Sequence, residues 1–177
     1  LVSHLVKENK SKTFMLTEAL NKMRENIRFC KTCYNISDEE ECSICKSHRR
    51  DRGLLCVVEE SKDVMAIENT LQYKGHYHVL GGLISLMDGI GPSQLNIDSL
   101  CEKTGRGEVA EVIAALSTTM EGDTTLFYLY KKLKPFDVKM STLARGVAIG
   151  GALEYADEVT LGRSIINRVP YDNHLVK

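Results

Sequence analysis

Four of the six cysteines fall in one window as Cys30-x2-Cys33 and Cys42-x2-Cys45, with eight residues between the pairs. Each Cys-x2-Cys turn aims two thiolates at one centre, and a short loop lets two such turns close a tetrahedral S4 site, which suits structural Zn²⁺. Four protein ligands leave no open position for a substrate, so the module reads as a staple and not as a Lewis-acid catalyst. Two disulfides or a redox Cys-x2-Cys pair are the competing readings. A reducing compartment disfavours the first, and duplication without a thioredoxin-like context disfavours the second. Cys56 sits in an apolar run and reads as a small core residue, with no neighbour to activate it as a nucleophile.

Two further groups could do chemistry. Glu59, Glu60 and Asp63 follow one apolar run, and Glu121 and Asp123 follow another. Carboxylates gathered at one edge can hold Mg²⁺ against phosphate oxygens. Acids in the first turn of a helix equally serve as caps that favour its dipole, and both readings stand. Lys46, Arg49, Arg50 and Arg52, with His48 among them, can meet phosphates or form a solvated linker. His76 and His78 alternate on one side of a strand, but no third ligand lies nearby in sequence, so they read as structural. Neither glycine-rich stretch carries the lysine of a phosphate loop, and no spacing signature suggests acyl transfer.

The elements that position these groups follow from periodicity. Leu16, Leu20, Met23 and Ile27 recur at helical spacing and predict an amphipathic helix over 13–28 that leads into the first Cys pair. Leu54–Val58 is a continuous apolar run, as in a strand buried on both faces, and Val64, Ile67 and Leu71 mark a helix after it. Strands over 77–80, 109–116 and 138–144 alternate with a helix carrying Leu126, Leu129, Tyr130 and Leu133. The fold class is therefore α/β, a parallel sheet with covering helices, preceded by a small four-cysteine module and an N-terminal helical region. Ligands of such sheets bind at the carboxyl ends of the strands, which is where the acids fall.

At 177 residues and 19.8 kDa the chain has room for one ordinary domain plus an appendage. A composition of 43% hydrophobic and 27% charged residues argues against disorder, and no run approaches the apolar length of a bilayer span. The N-terminus has no signal pattern, which predicts a cytosolic chain without membrane contact. The formal charge is -1, so any nucleic-acid contact must come from local patches. Residues 1–52 carry 11 basic and 8 acidic side chains, and the remainder 12 and 16, so the sign changes near Gly53. Domains are expected over 1–28 (helical), 29–52 (four-cysteine module and basic linker), 53–145 (sheet domain) and 146–177 (glycine-rich segment, helix and tail). The first residue is Leu and the opening helix looks begun elsewhere, which suggests a truncated or processed N-terminus.

The order of the pieces resembles a known family. The Cys knuckle, Cys56–Asp63, Gly75-His-Tyr-His-Val-Leu-Gly-Gly82, Asp88-Gly-Ile-Gly-Pro92, Glu121-Gly-Asp-Thr-Thr125, Ala144-Arg-Gly and Leu153–Leu161 together look like the RecR family of bacterial recombination mediators. Glu59 with Glu121-x-Asp123 is similar to the Toprim domain that topoisomerases and primases also carry. The resemblance implies a non-enzymatic DNA repair and recombination mediator that works with RecO, and in some settings RecF, to load RecA onto single-stranded DNA covered by single-strand-binding protein. It further implies a Toprim fold, an oligomeric DNA clamp, nucleoid-associated cytoplasmic localisation, and a helix-hairpin-helix element ahead of the knuckle, of which residues 1–10 would be the last helix. For this chain the expectation is a dimer, with a tetrameric ring at full length. Glu59, Asp63, Glu121 and Asp123 are the expected Mg²⁺ or RecO contacts, and Lys46, Arg49, Arg50 and Arg52 the expected DNA contacts. Leu86 and Ala148 stand where the family pattern usually has proline. The alternative is a Mg²⁺-dependent Toprim phosphodiester enzyme that nicks or transfers nucleotides.

Overall fold

The computed structural model describes residues 2–147, 150 and 152–168. The chain falls into two compact units, Leu1–Thr142 and Leu143–Lys177. The first opens with helices α1 (Val2–Lys7) and α2 (Lys10–Asn26), the latter N-capped by Asn9, whose side chain accepts from Ser11 N. A two-stranded antiparallel hairpin, β1 (Arg28–Phe29) and β2 (Ile36–Ser37), and a single helical turn, α3 (Ser43–Lys46), follow. The rest is β3 (Asp51–Val58), α4 (Ser61–Asn69), β4 (Gly75–Val79), α5 (Ile97–Gly105), β5 (Glu111–Ala115), α6 (Met120–Leu133) and β6 (Lys139–Thr142).

The four long strands form one parallel sheet in the order β4-β3-β5-β6. Strand β3 is central and reads as an unbroken apolar run because both of its faces are buried. Leu55 and Val57 point into a core with Leu100, Leu129 and Leu133 from α5 and α6, while Cys56 and Val58 point into a second core with Val64 and Tyr77. Strand β4 runs into a turn at Gly81-Gly82, whose φ values of 89° and 147° lie in the region that glycine tolerates without a Cβ clash. The turn lets Gly81 N reach Glu59 O at 2.9 Å, which ties the ends of β3 and β4 together.

Helix α2 differs from expectation. It begins at Lys10, three residues earlier than predicted, and none of its residues is buried. Leu16, Leu20 and Met23 remain 43–50% exposed, and Ile27 lies beyond its last turn as the C-cap. The periodicity marked a helix correctly but could not say that no element of this unit would cover it.

Arg50 belongs to the fold as well. Its guanidinium forks onto both carboxylate oxygens of Glu68 in α4 and donates to Gly75 O at 2.9 Å, while Tyr77 Oη donates to Glu68 at 2.7 Å. Burial pushes the Glu68 carboxyl up, but the hydrogen bonds from Arg50 and Tyr77 outweigh it and leave the group below its ordinary value. Arg50→Ala is expected to cost about 2 kcal/mol, because it strands a half-buried carboxylate. Arg49→Ala and Arg52→Ala, at exposed positions, should stay within about 0.5 kcal/mol. Urea unfolding of the three variants checks the contrast, and equal midpoints would refute it.

In the second unit a 3-10 turn (Leu153–Tyr155) precedes helix α7 (Glu158–Ile166), N-capped by Asp157, whose carboxylate accepts from Thr160 N at 2.8 Å. Ala148 and the tail from Val169 lie outside the described residues.

Candidate metal centre and acidic rim

Cys30 and Cys33 lie in the connection between β1 and β2, while Cys42 caps α3 and Cys45 lies within it. Their sulfurs all lie within 4.8 Å of one another, and the four residues are 0–8% exposed. Cys33 Sγ and Cys42 Sγ are 3.5 Å apart, too far for a disulfide near 2.05 Å, and all six cysteines are free. Tyr34 makes the knuckle turn at φ 62°, a left-handed conformation uncommon for a bulky side chain. Its N–H donates to Cys30 O at 2.9 Å and its ring meets His78 edge-on at 5.5 Å.

Crowding couples the thiols. Hydrogen bonds from Cys33 and Cys45 hold the Cys42 thiol far below its ordinary value, while the bond to Cys42 pushes Cys33 up and the bond to Cys33 pushes Cys45 up. Four sulfurs this close cannot all ionise without a cation between them. A buried set of soft donors that becomes anionic only as a group fits Zn²⁺, whose resident role here is to cross-link two turns. By contrast, burial alone pushes Cys56 to about 12, so it is an inert core thiol.

The knuckle is bonded to the sheet. Val79 N, on the outer edge of β4, donates to Cys33 O at 2.8 Å, and Ile36 N donates to Ser61 Oγ at 3.1 Å. Lys103 Nζ, from α5, reaches Thr32 O at 2.5 Å and His78 Nδ1 at 3.2 Å. Burial lowers the Lys103 ammonium's pKa, and the charges of Cys33, Cys45 and Cys30 pull it back. His78 is fully buried and its Nε2 lies 2.7 Å from Asn96 O, so Nε2–H donates and Nδ1 accepts. The two histidines are not a ligand pair. His76 Nε2 is a buried atom without a partner, and His78 is spent on Asn96 and Lys103.

Burial holds the His78 imidazole down to about 3. The unfolded chain therefore takes up a proton below about pH 6.5 that the folded protein refuses, and stability is lost as pH falls from there toward 3. The expected slope from this residue is about 1.4 kcal/mol per pH unit. His78→Asn should flatten the acid limb between about pH 6.5 and 4.5 in urea titrations. An unchanged slope would show that His78 is not the group responsible.

At the carboxyl edge, Glu59 directly follows β3 and its Oε1 accepts a hydrogen bond from Ser117 N, just after β5. Glu121 and Asp123 sit in the first turn of α6, capped by Thr119, whose Oγ1 accepts from Gly122 N at 3.1 Å. Gly122 lies between the two acids, and a Cβ there would collide with the Ser117 carbonyl, 2.9 Å from its carbon. Ser117 thus links Glu59 to the Glu121–Asp123 turn. The acids do not form a ready metal cage. Among the described residues the four cysteines are the only group of three or more Cys, His, Asp or Glu whose ligand atoms all lie within 4.8 Å of one another. Asp63 forms a capping box with Glu60, accepting from Glu60 N at 2.9 Å, as the helix-cap reading expects.

The basic run also divides. Arg50 is paired with Glu68 and Lys46 with Glu39, so two of the four expected phosphate contacts already hold a carboxylate partner. Arg49 and Arg52 are exposed and enter none of the ion pairs found among the described residues. Sequence reasoning missed Ser117, Gly122 and Lys103. Only Gly122 left a signal, as the glycine wedged between two acids at a helix start.

A four-stranded parallel sheet with acids at its carboxyl edge and a four-cysteine knuckle bonded to its outer strand defines a zinc-stapled Toprim protein. Family models agree segment by segment: the RecR four-cysteine zinc finger domain matches residues 27–47, the Toprim domain 53–144, and the RecR C-terminal region 146–169. Relatives called Recombination protein RecR are similar over nearly the whole chain. The one from Flavobacterium johnsoniae is 58% identical over 97% of this chain and 84% of its own length, and that from Parabacteroides distasonis 55% over 97% and 83%. The Bacteroides fragilis relative is 53% identical over 97% and 83%. The chain belongs to the RecR family.

Proposed function

We propose that this protein is a DNA repair and recombination mediator that, with RecO and in some settings RecF, helps load RecA onto single-stranded DNA covered by single-strand-binding protein. The observation that carries the reading is a four-cysteine knuckle bonded to a Toprim sheet in a chain whose similarity to proteins called Recombination protein RecR runs almost end to end. The acidic rim then serves as a protein contact, with Glu59, Glu121 and Asp123 facing RecO and Asp63 holding α4. The absence of a compact carboxylate cage among the described residues favours this adaptor role over Mg²⁺-dependent phosphodiester chemistry. Arg49 and Arg52 are the phosphate contacts, Zn²⁺ is the resident structural metal, and self-association into a clamp supplies the enclosure that a near-neutral chain needs.

The test is a pulldown with RecO in the presence of single-stranded DNA, run beside a Mg²⁺-dependent nicking assay. Glu121→Gln is expected to abolish RecO capture, and neither protein should nick. A nicked product that disappears in Glu121→Gln would overturn the adaptor reading in favour of an enzyme. DNA binding should weaken steeply with salt, and less steeply once Arg49 and Arg52 are replaced by alanine. Binding indifferent to salt would remove the arginine assignment.

A further inference from the structure

Lys103 is a half-buried cation that takes part in none of the ion pairs among the described residues. Its ammonium instead lies 2.5 Å from Thr32 O, inside the Cys30-x2-Cys33 turn. It shares the wall of a cavity of about 220 Å³ with Cys45. Glu41, on that same wall, is engaged by Thr32 Oγ1 at 3.2 Å. Glu108 lines the same wall but forms no ion pair with Lys103 among the described residues, so this half-buried ammonium lacks a paired carboxylate, and the negative charge acting on it is that of Cys33, Cys45 and Cys30. Four thiolates around one Zn²⁺ carry a net charge of about -2. That excess is costly on four buried sulfurs, and a cation held against the knuckle offsets it.

The placement of Lys103 is over-determined. His78 Nδ1 accepts from Nζ at 3.2 Å, and His78 is oriented in turn by Nε2–H donation to Asn96 O at 2.7 Å. Tyr34, the left-handed residue of the knuckle, stacks edge-on against the same imidazole. We propose that Lys103 is a positioning residue of the metal site: its charge compensates the zinc tetrathiolate, and its hydrogen bonds lock the first Cys-x2-Cys turn to β4 and α5. The metal would thus be retained by the Toprim domain as well as by its four ligands. This rests on the zinc reading of the four-cysteine site.

The test follows zinc release from the metal-loaded full chain to excess pyridylazoresorcinol, together with the charge-transfer spectrum of the Co²⁺-substituted protein. Lys103→Met removes charge and donor, Lys103→Gln keeps a donor without charge, and Lys103→Arg keeps both. Met and Gln should each release zinc at least about tenfold faster than wild type, with Arg restoring most of the retention. The sulfur-to-cobalt band should move to longer wavelength in Met and Gln, because thiolates without a nearby cation are easier to oxidise. Gln behaving like wild type in both readouts would overturn the charge role, as would equal release from all four proteins. Should Met fail to fold, the Gln and Arg pair carries the same contrast. Metal analysis of the wild type separates the two readings: a folded protein without stoichiometric zinc sinks the metal reading itself, whatever the variants do.

Discussion

Stripping the metal with excess chelator at neutral pH is expected to lower the melting temperature by about 10 °C or more, and to loosen the Toprim sheet along with residues 29–52. The cause is the way the knuckle is used. Cys33 O accepts the Val79 N–H, so the Cys30-x2-Cys33 turn covers the outer edge of β4, and Thr32 O receives Lys103 from α5. Without the metal, the crowded thiols take up protons, and the two turns are left with a hairpin of two-residue strands, one helical turn and a few local bonds such as Lys31 N to Glu40 O at 2.8 Å and Thr32 to Glu41. Zinc binding in small Cys-ligated modules supplies about 10–16 kcal/mol of folding free energy, so losing even a third of it is a large effect. For a protein of this size each kcal/mol moves the melting temperature by about 2–4 °C. Hydrogen exchange at Val79 N–H is the sharper measurement. If that amide stays protected in the chelated protein, the knuckle is an independent appendage and the structural coupling is wrong.

Gly122→Ala is expected to destabilise the protein by about 2–4 kcal/mol and to disable the acidic rim at the same time. A methyl at this position would meet the Ser117 carbonyl, which is backbone and cannot rotate away. The start of α6 would have to retreat, carrying Glu121 and Asp123 with it and pulling on Ser117, whose N–H holds Glu59. Adding Ser117→Ala should not rescue the protein, because the offending carbonyl remains. Gly162→Ala is the matched control. It lies in α7 with no described atom within 4 Å of its would-be Cβ, and should be neutral or stabilising by up to about 1 kcal/mol. Thermal melts with RecO capture decide the matter, and a Gly122→Ala protein that melts and binds like wild type would sink it.

These residues also show where sequence reasoning reaches and where it stops. The four-cysteine site was legible because all of its ligands lie within one short window, and tetrahedral closure needs little beyond their spacing. The parallel sheet was legible because β3 buries both faces and therefore reads as an apolar run with helical periodicity on either side. Arg50 was not, because its partners Glu68 and Gly75 lie 18 and 25 residues away, and nothing in a run of basic residues distinguishes the one that folds back. Asp63 carried two local meanings, cap and metal ligand, and the capping box with Glu60 shows the first of them. The apolar stripe of α2 was equally ambiguous, since periodicity reports a face and not its partner.

By itself the amino-acid order determined the metal chemistry, the α/β class and the edge of the sheet at which acids would collect, because ligand spacing and burial periodicity are properties of contiguous residues. The tertiary structure alone decided how those parts depend on one another. It set the knuckle against β4, the Lys103 ammonium against the Cys30-x2-Cys33 turn, and Ser117 between Glu59 and α6, because these are pairings across 46 to 71 residues whose geometry exists only once the sheet has closed.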